Sequence, residues 1–339
     1  MGLNDTLKKP LAVLLTSVAL LSSVPTLAAS YGEQLEGFRY PWPLQRFSFT
    51  SQQQSLSMGY MDVRPGGNAN GRSVVLMHGK NFCGATWEST IRALSRQGYR
   101  VIVPDQIGFC TSTKPDSYQY SFQQLASNTH QLLQQLGVKK AVIIGHSTGG
   151  MLATRYALMF PAETERLVMV NPIGLEDWKA KGAPWRSVDQ WYERELKTSA
   201  EGIKKYELNT YYAGRWKPEY DQWVDMLAGL NNGPGKKKVA WNSALIYDMI
   251  FTQPVYYEFK DLRVPATLMI GTADTTAIGS DIAPPEVKAQ LGHYQVLGKQ
   301  VAQLIPDSRL ITFPGMGHAP QMEAPEMFNQ RLLEDLSTR

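Results

Sequence analysis

Short apolar runs alternate with stretches of helical spacing through most of this chain. "SVVLMHG" (73–79), "YRVIVPD" (99–105), "AVIIGH" (141–146) and "RLVMVNP" (166–172) are four such runs. Each is too short for a buried helix and stops at Gly, Pro, Asp or a strand-to-helix junction, so each predicts a buried strand. Between them, Trp87–Gln97 sets Trp87, Ile91 and Leu94 on one helical face and ends before Gly98. Ser121–Leu136 predicts a second helix, with Ser121 as N-cap and Gly137 as stop. Gly149–Met159 is a third. The rhythm returns late, with strand "ATLMIG" (266–271), helix Leu297–Leu304, strand "RLITFPG" (309–315) and helix Pro325–Leu336. Ahead of all this, Arg46–Thr50 and Leu56–Val63 flank a polar Ser/Gln turn and predict a hairpin. Buried strands alternating with amphipathic helices specify an α/β protein whose mostly parallel sheet is covered on both faces.

Residues 173–263 break the rhythm. They hold no comparable apolar strand, yet carry six of the eight Trp residues. They read as a mainly helical cap inserted between consecutive strands, after the sixth, with residues 30–172 and 264–339 forming the core. Residues 1–29 have another character. Lys8 and Lys9 precede the apolar run Leu11–Leu21, and "PTLAAS" ends in small residues, the layout of a secretory signal peptide. That predicts a periplasmic or secreted protein with no stable membrane insertion after cleavage. The net charge is only +4 with scattered Lys and Arg, which speaks against a nucleic-acid partner and leaves a small-molecule substrate. Two cysteines and dispersed histidines make no ligand cluster, so neither metal nor other cofactor is expected.

The chemistry centres on "GHSTGG". Ser147 falls at the junction of a strand and a helix. A side chain on so sharp a turn takes a strained backbone conformation, and Gly145 and Gly149 flank it because a Cβ at either place would crowd the turn. The turn lifts the hydroxyl above the carboxyl edge of the sheet and aims a helix N-terminus at any developing oxyanion. A serine needs a base, and the chain has five histidines: His78, His130, His146, His293 and His318.

Five motifs stand in order: "HGK", "PDQIGFCTSTKP", "GHSTGG", "GTAD" and "GMGHAPQMEAPE". With them the chain resembles a serine hydrolase of the α/β-hydrolase superfamily, over nearly all of the segment after residue 29. The resemblance implies an eight-stranded sheet and a triad of Ser147, Asp274 and His318, in the chain order that family uses. Glu176, Asp177 and Asp281 are alternative acids, and the long stretch 275–295 sets Asp274 and His318 further apart than the family usually does. The resemblance also implies an oxyanion hole from the backbone N–H groups of Lys80 and Thr148, with the Lys80 side chain in solvent. Cys83 and Cys110 follow strands that are neighbours in the family's sheet, and Cys110 stands where relatives often have Gly. A disulfide between them is expected, the alternative being two buried thiols.

The implied activity is hydrolysis of carboxylic esters or lactones with apolar or aromatic acyl groups, under an aromatic-rich lid. The same triad serves aminopeptidases and amidases, carbon–carbon hydrolases, acyltransferases and perhydrolases. A ligand receptor that keeps the fold is a further reading.

Overall fold

The structure, a computed structural model, describes Met1 and residues 29–338. The expected signal peptide therefore lies outside the described residues. Eight strands form one sheet: β1 (Gln45–Ser51), β2 (Gln54–Val63), β3 (Ser73–Met77), β4 (Arg100–Pro104), β5 (Ala141–His146), β6 (Thr164–Val170), β7 (Ala266–Gly271) and β8 (Ser308–Phe313), in spatial order β1-β2-β4-β3-β5-β6-β7-β8. From β4 across to β8 every pairing is parallel, whereas β1–β2 and β2–β4 are antiparallel. The sheet is thus mixed at one edge. A two-residue turn can join only antiparallel strands, and Gln52–Gln53 is such a turn.

The helices α1 (Glu88–Arg96), α2 (Phe122–Gln135) and α3 (Thr148–Met159) cross between the early strands. Ser121 caps α2 by accepting a hydrogen bond from the Gln124 N–H at 3.0 Å. Four helices lie between β6 and β7: α4 (Val188–Leu196), α5 (Ala200–Thr210), α6 (Asp221–Asn232) and α7 (Lys236–Thr252). After β7 come α8 (Pro285–Lys288) and α9 (Tyr294–Leu304), and after β8 come α10 (Pro320–Glu323) and α11 (Pro325–Ser337). Among the described residues no helix is long and apolar enough to cross a membrane.

Strand side chains alternate between two cores, because successive residues point to opposite faces. Val142 and Ile144 of β5 join Ile91 and Leu94 of α1 and Phe328 and Leu332 of α11. Ile143 joins the opposite core, with Leu125 and Leu132 of α2, Met151 and Leu152 of α3, and Val301 of α9. All six residues of β5 are buried. The chain steps one way from β3 to β4 and then back across β3 to β5, so strand order reverses there. In an open α/β sheet the crevice at such a switch point, beyond the strands' carboxyl ends, is where ligands bind.

Candidate active site

Ser147 occupies the turn between β5 and α3 at φ 57°, ψ −123°. That left-handed backbone is strained for a residue with a Cβ. The turn has no slack on either side. A Cβ on Gly145 would come within 2.0 Å of the Gly149 carbonyl oxygen, and one on Gly149 within 2.3 Å of the Met77 carbonyl oxygen. Both glycines are therefore required for α3 to start against β3. The loop after β3 passes just as close, since a Cβ on Gly79 would lie 2.8 Å from Ser147 Cβ. Ser147 itself is buried, at 6% exposure.

Asp274 and His318 meet as a buried pair. His318 Nδ1 donates to Asp274 Oδ2 at 2.7 Å. The same oxygen accepts from Asn171 Nδ2 at 2.8 Å, while Oδ1 accepts from the Thr276 N–H and hydroxyl at 2.9 and 2.7 Å. Four donors keep this carboxylate satisfied without water and aim it at the imidazole. The His318 carbonyl is held as well, by His146 Nε2 at 2.8 Å. A carbonyl only accepts, so His146 Nε2 carries the proton. Burial, aided by the neighbouring His318 imidazole, keeps the His146 pKa well below the usual histidine range, and His146 stays neutral. His146 thus ties the serine's turn to the histidine's loop.

The other candidates fall elsewhere. His78 Nε2 accepts the Gln106 N–H at 3.1 Å and its Nδ1 donates to the Gly79 carbonyl at 2.8 Å, bracing the loop after β3 against the loop after β4. His130 stacks on Phe160 and pairs with Glu163. His293 is exposed and bonds the Ala289 carbonyl. Glu176 is engaged with Lys181 and the Gly292 N–H, Asp177 accepts from the Lys179 and Ala180 N–H groups, and Asp281 pairs with Arg186. The long stretch after Asp274 closes on itself: a Cβ on Gly292 would sit 2.5 Å from the Thr275 carbonyl oxygen. It leaves and re-enters at one place, so its length does not move Asp274 away from His318.

Cys83 and Cys110 form the expected disulfide, with Cα atoms 5.8 Å apart. Cys110 adopts φ 41°, the left-handed region that glycine prefers. Cys83, Asp105 and Cys110 are the one grouping of ligand-type atoms among the described residues close enough for an ion, and its two sulfurs are bonded to each other. Lys80 departs from expectation. Its side chain is not in solvent but 10% exposed, with Nζ 3.1 Å from Glu195 Oε2 of α4 and 3.8 Å from the centre of the Tyr247 ring of α7. Burial alone would raise the Glu195 pKa, but Lys80, the Ser243 hydroxyl and Arg194 outweigh it and hold the carboxylate low.

A cavity of about 380 Å³ lies between the inserted helices and the loops after β3 and β4. Phe82, Phe109, Ile203, Leu227, Leu230 and Ile246 supply its apolar wall. None of the six tryptophans of residues 173–263 lines it. Trp178 and Trp191 are instead buried in packing, and Trp185 is 59% exposed. Phe82 borders both the cavity and the serine, because its ring edge lies 3.0 Å from the same point above Gly79 that Ser147 approaches. The Phe82 ring leans on Tyr211 at 5.0 Å, and Tyr211 stacks on His318 at 5.2 Å.

Sequence reasoning missed Asn171, Thr276, Phe82, Tyr211 and Glu195. Asn171 had a signal, as a polar residue closing the buried run "RLVMVNP". The others sit in unremarkable loop or helix sequence.

A strained serine turn at the switch point, with a carboxylate–imidazole pair on the two neighbouring loops, is the plan of a hydrolase. The alpha/beta hydrolase fold family matches residues 72–276, and the chain belongs to that family. A probable hydrolytic enzyme from Pseudomonas aeruginosa PAO1 is similar over 92% of this chain and 99% of its own, at 63% identity and a TM-score of 0.91. Lipase 1 of Psychrobacter immobilis is 27% identical over 76% of this chain and 74% of its own length. A cis-3-alkyl-4-alkyloxetan-2-one decarboxylase of Xanthomonas campestris is 33% identical over 46% of this chain, and the match spans 57% of that relative. The chain is therefore a hydrolase of this family, with a small molecule as substrate, and the lipases among its relatives agree with ester hydrolysis.

Proposed function

We propose that this protein hydrolyses carboxylic esters, lactones included, through an acyl-enzyme on Ser147. One observation carries the reading: Ser147 is held strained at the β5–α3 turn, with the Asp274–His318 pair tied to that turn through His146. His318 Nε2 takes the hydroxyl proton as Ser147 Oγ attacks the carbonyl carbon, then gives it to the leaving alkoxide. Asp274 holds Nδ1–H, which fixes the tautomer and stabilises the imidazolium. The backbone N–H groups of Lys80 and Thr148 receive the oxyanion, and losing one such donor costs about 3 kcal/mol. Water, deprotonated by His318, then releases the acid.

The inserted helices 173–263 act as a cap, and the cavity beneath them takes the acyl or alcohol portion, with Phe82 swinging aside to join it to Ser147. The signal-peptide layout of residues 1–29 and a disulfide suited to an oxidising compartment support secretion or a periplasmic location. The test is a panel of chromogenic esters, lactones and amides with a fluorophosphonate probe. Ser147→Ala abolishes labelling and lowers kcat on esters by about 10⁴-fold or more. Labelling that persists in the variant, or turnover of amides alone, overturns the reading.

A further inference from the structure

Glu207, on the inserted helix α5, is a buried carboxyl that the proposed mechanism does not use. It is 2% exposed, lines the 380 Å³ cavity, and its Oε2 has no hydrogen-bond partner among the described residues. An unpaired carboxyl in such a place is expensive to bury, by an amount comparable to a lost charge-assisted hydrogen bond. A bound molecule would relieve that cost.

Resting on the ester reading above, we propose that Glu207 is a specificity-determining residue, which hydrogen-bonds a second, neutral oxygen function (a hydroxyl or a carbonyl) on the part of the ester that fills the cavity.

The surroundings select a neutral group. Lys80 and Arg194 share the cavity with Glu195, and Lys114 and Lys197 add two more cations to its wall. A substrate ammonium would enter a cavity that already has an excess of positive charge. Lys114 is itself committed, donating to the carbonyls of Cys110 and Ser112 at 2.8 and 3.3 Å, and burial lowers its pKa to about 8, so only an alkaline change seen in wild type and not in E207Q belongs to Glu207. From the elements around α5, the titratable groups facing this space are Arg194 and Glu195 of α4, Lys197 beyond it, Tyr247 of α7, Lys80 and Lys114 of the loops, and Tyr206 of α5 itself, while Tyr211 and Tyr212 just past α5 feel the Glu207 charge. The wall from α6 is Leu227, Leu230 and Asn231, with no titratable group. Burial pushes the Glu207 pKa up to about 8, so at neutral pH it is a carboxylic acid with one O–H to donate.

The experiment compares two chromogenic esters of equal length, one with a plain alkyl chain and one with a keto group along it, which can only accept a hydrogen bond. Wild type prefers the oxygenated ester by about 10-fold or more in kcat/KM. E207L cuts that preference to near unity. E207Q keeps it, and keeps it above pH 8, where the wild-type preference falls as Glu207 ionises. Should E207L not fold, the contrast in pH dependence between wild type and E207Q carries the test. Equal kcat/KM for the two esters in wild type, equal losses on both in E207L, or the same alkaline fall in E207Q each overturns the assignment. If the alkyl ester is cleaved in a Ser147-dependent way without discrimination, only Glu207 is misassigned. If neither ester is cleaved, the ester reading itself fails. In that case the Tm shift of Ser147→Ala protein on adding each ester reads binding directly, and equal shifts overturn the role of Glu207.

Discussion

Each residue of the site is held by something other than its own preference. Ser147 sits at φ 57° because β5 and α3 leave no other path, and Gly145 and Gly149 leave room for it. Asp274 is aimed by four donors, of which Asn171 is the most telling. Asn171 adopts φ 37°, donates to Asp274 Oδ2, and accepts the Gly271 N–H at 2.8 Å. It therefore sets the carboxylate and the end of β7 together. Replacing Asp274 by Asn leaves the shape and removes the charge that selects the His318 tautomer, so kcat on esters falls by about 10³–10⁴-fold. Asn171→Ala removes one of four donors and lowers kcat by about 10-fold, with KM little changed. Steady-state kinetics on one ester checks both, and equal effects of the two would refute this ranking. At this scale the proposed triad of Ser147, Asp274 and His318 was named from short motifs that each follow a strand, and the structure brings Asp274 and His318 into contact. Asn171 was not singled out, because its role exists only once β6 and β7 lie side by side.

At the scale of elements, the inserted helices grip the loops that carry the proposed site. The last carbonyl of α5, on Thr210, accepts the His318 N–H at 3.2 Å, Asn81 Nδ2 donates to the Tyr211 hydroxyl at 2.8 Å, and Lys80 is pinned between α4 and α7. Moving these helices therefore moves both the proposed base and the proposed oxyanion loop. The segment beginning at residue 30 grips α6 in turn. The Tyr31 N–H donates to the Gly229 carbonyl at 3.0 Å, and a Cβ on Gly233 would lie 1.9 Å from the Tyr31 carbonyl oxygen. Gly233→Ala must push that backbone away, at a cost of about 1–3 kcal/mol. Gly202→Ala is the control, since its Cβ would meet only Ser199 Oγ at 3.3 Å on an exposed helix, where Ala is favoured over Gly. Calorimetry should show Tm lower by a few degrees for the first and unchanged or raised for the second. The strands and helices outside residues 173–263 were placed by period, caps and breakers, whereas the inserted segment was read only as mainly helical and rich in aromatics. The tryptophans of the inserted segment could equally line a pocket or pack the segment's own interior, and in the structure none of them lines the cavity. They did not show that the cavity would be walled by Phe82, Phe109, Tyr206 and Tyr247 instead.

For the whole molecule, the Cys83–Cys110 link joins two loops on neighbouring strands, 27 residues apart. Closing a loop of that length stabilises by about 3–4 kcal/mol in the chain-entropy account. A Cys83→Ser, Cys110→Ser double variant should therefore melt about 5 °C lower, measured with and without reductant. A reductant that shifts the Tm of the double variant as much as that of wild type would count against the link. The chain's own pattern determined the α/β class, the order of elements and the Ser147 turn, because periodicity, breakers and short motifs are properties of adjacent residues; the proposed acid and base, Asp274 and His318, came from the family resemblance of their motifs. The tertiary structure alone decided that the predicted hairpin joins the sheet antiparallel through β2 and β4, that Lys80 packs against Glu195, and that Glu207 stands unpaired in a cavity. Those facts depend on which distant segments share a surface, and burial, charge balance and free space arise only where such segments meet.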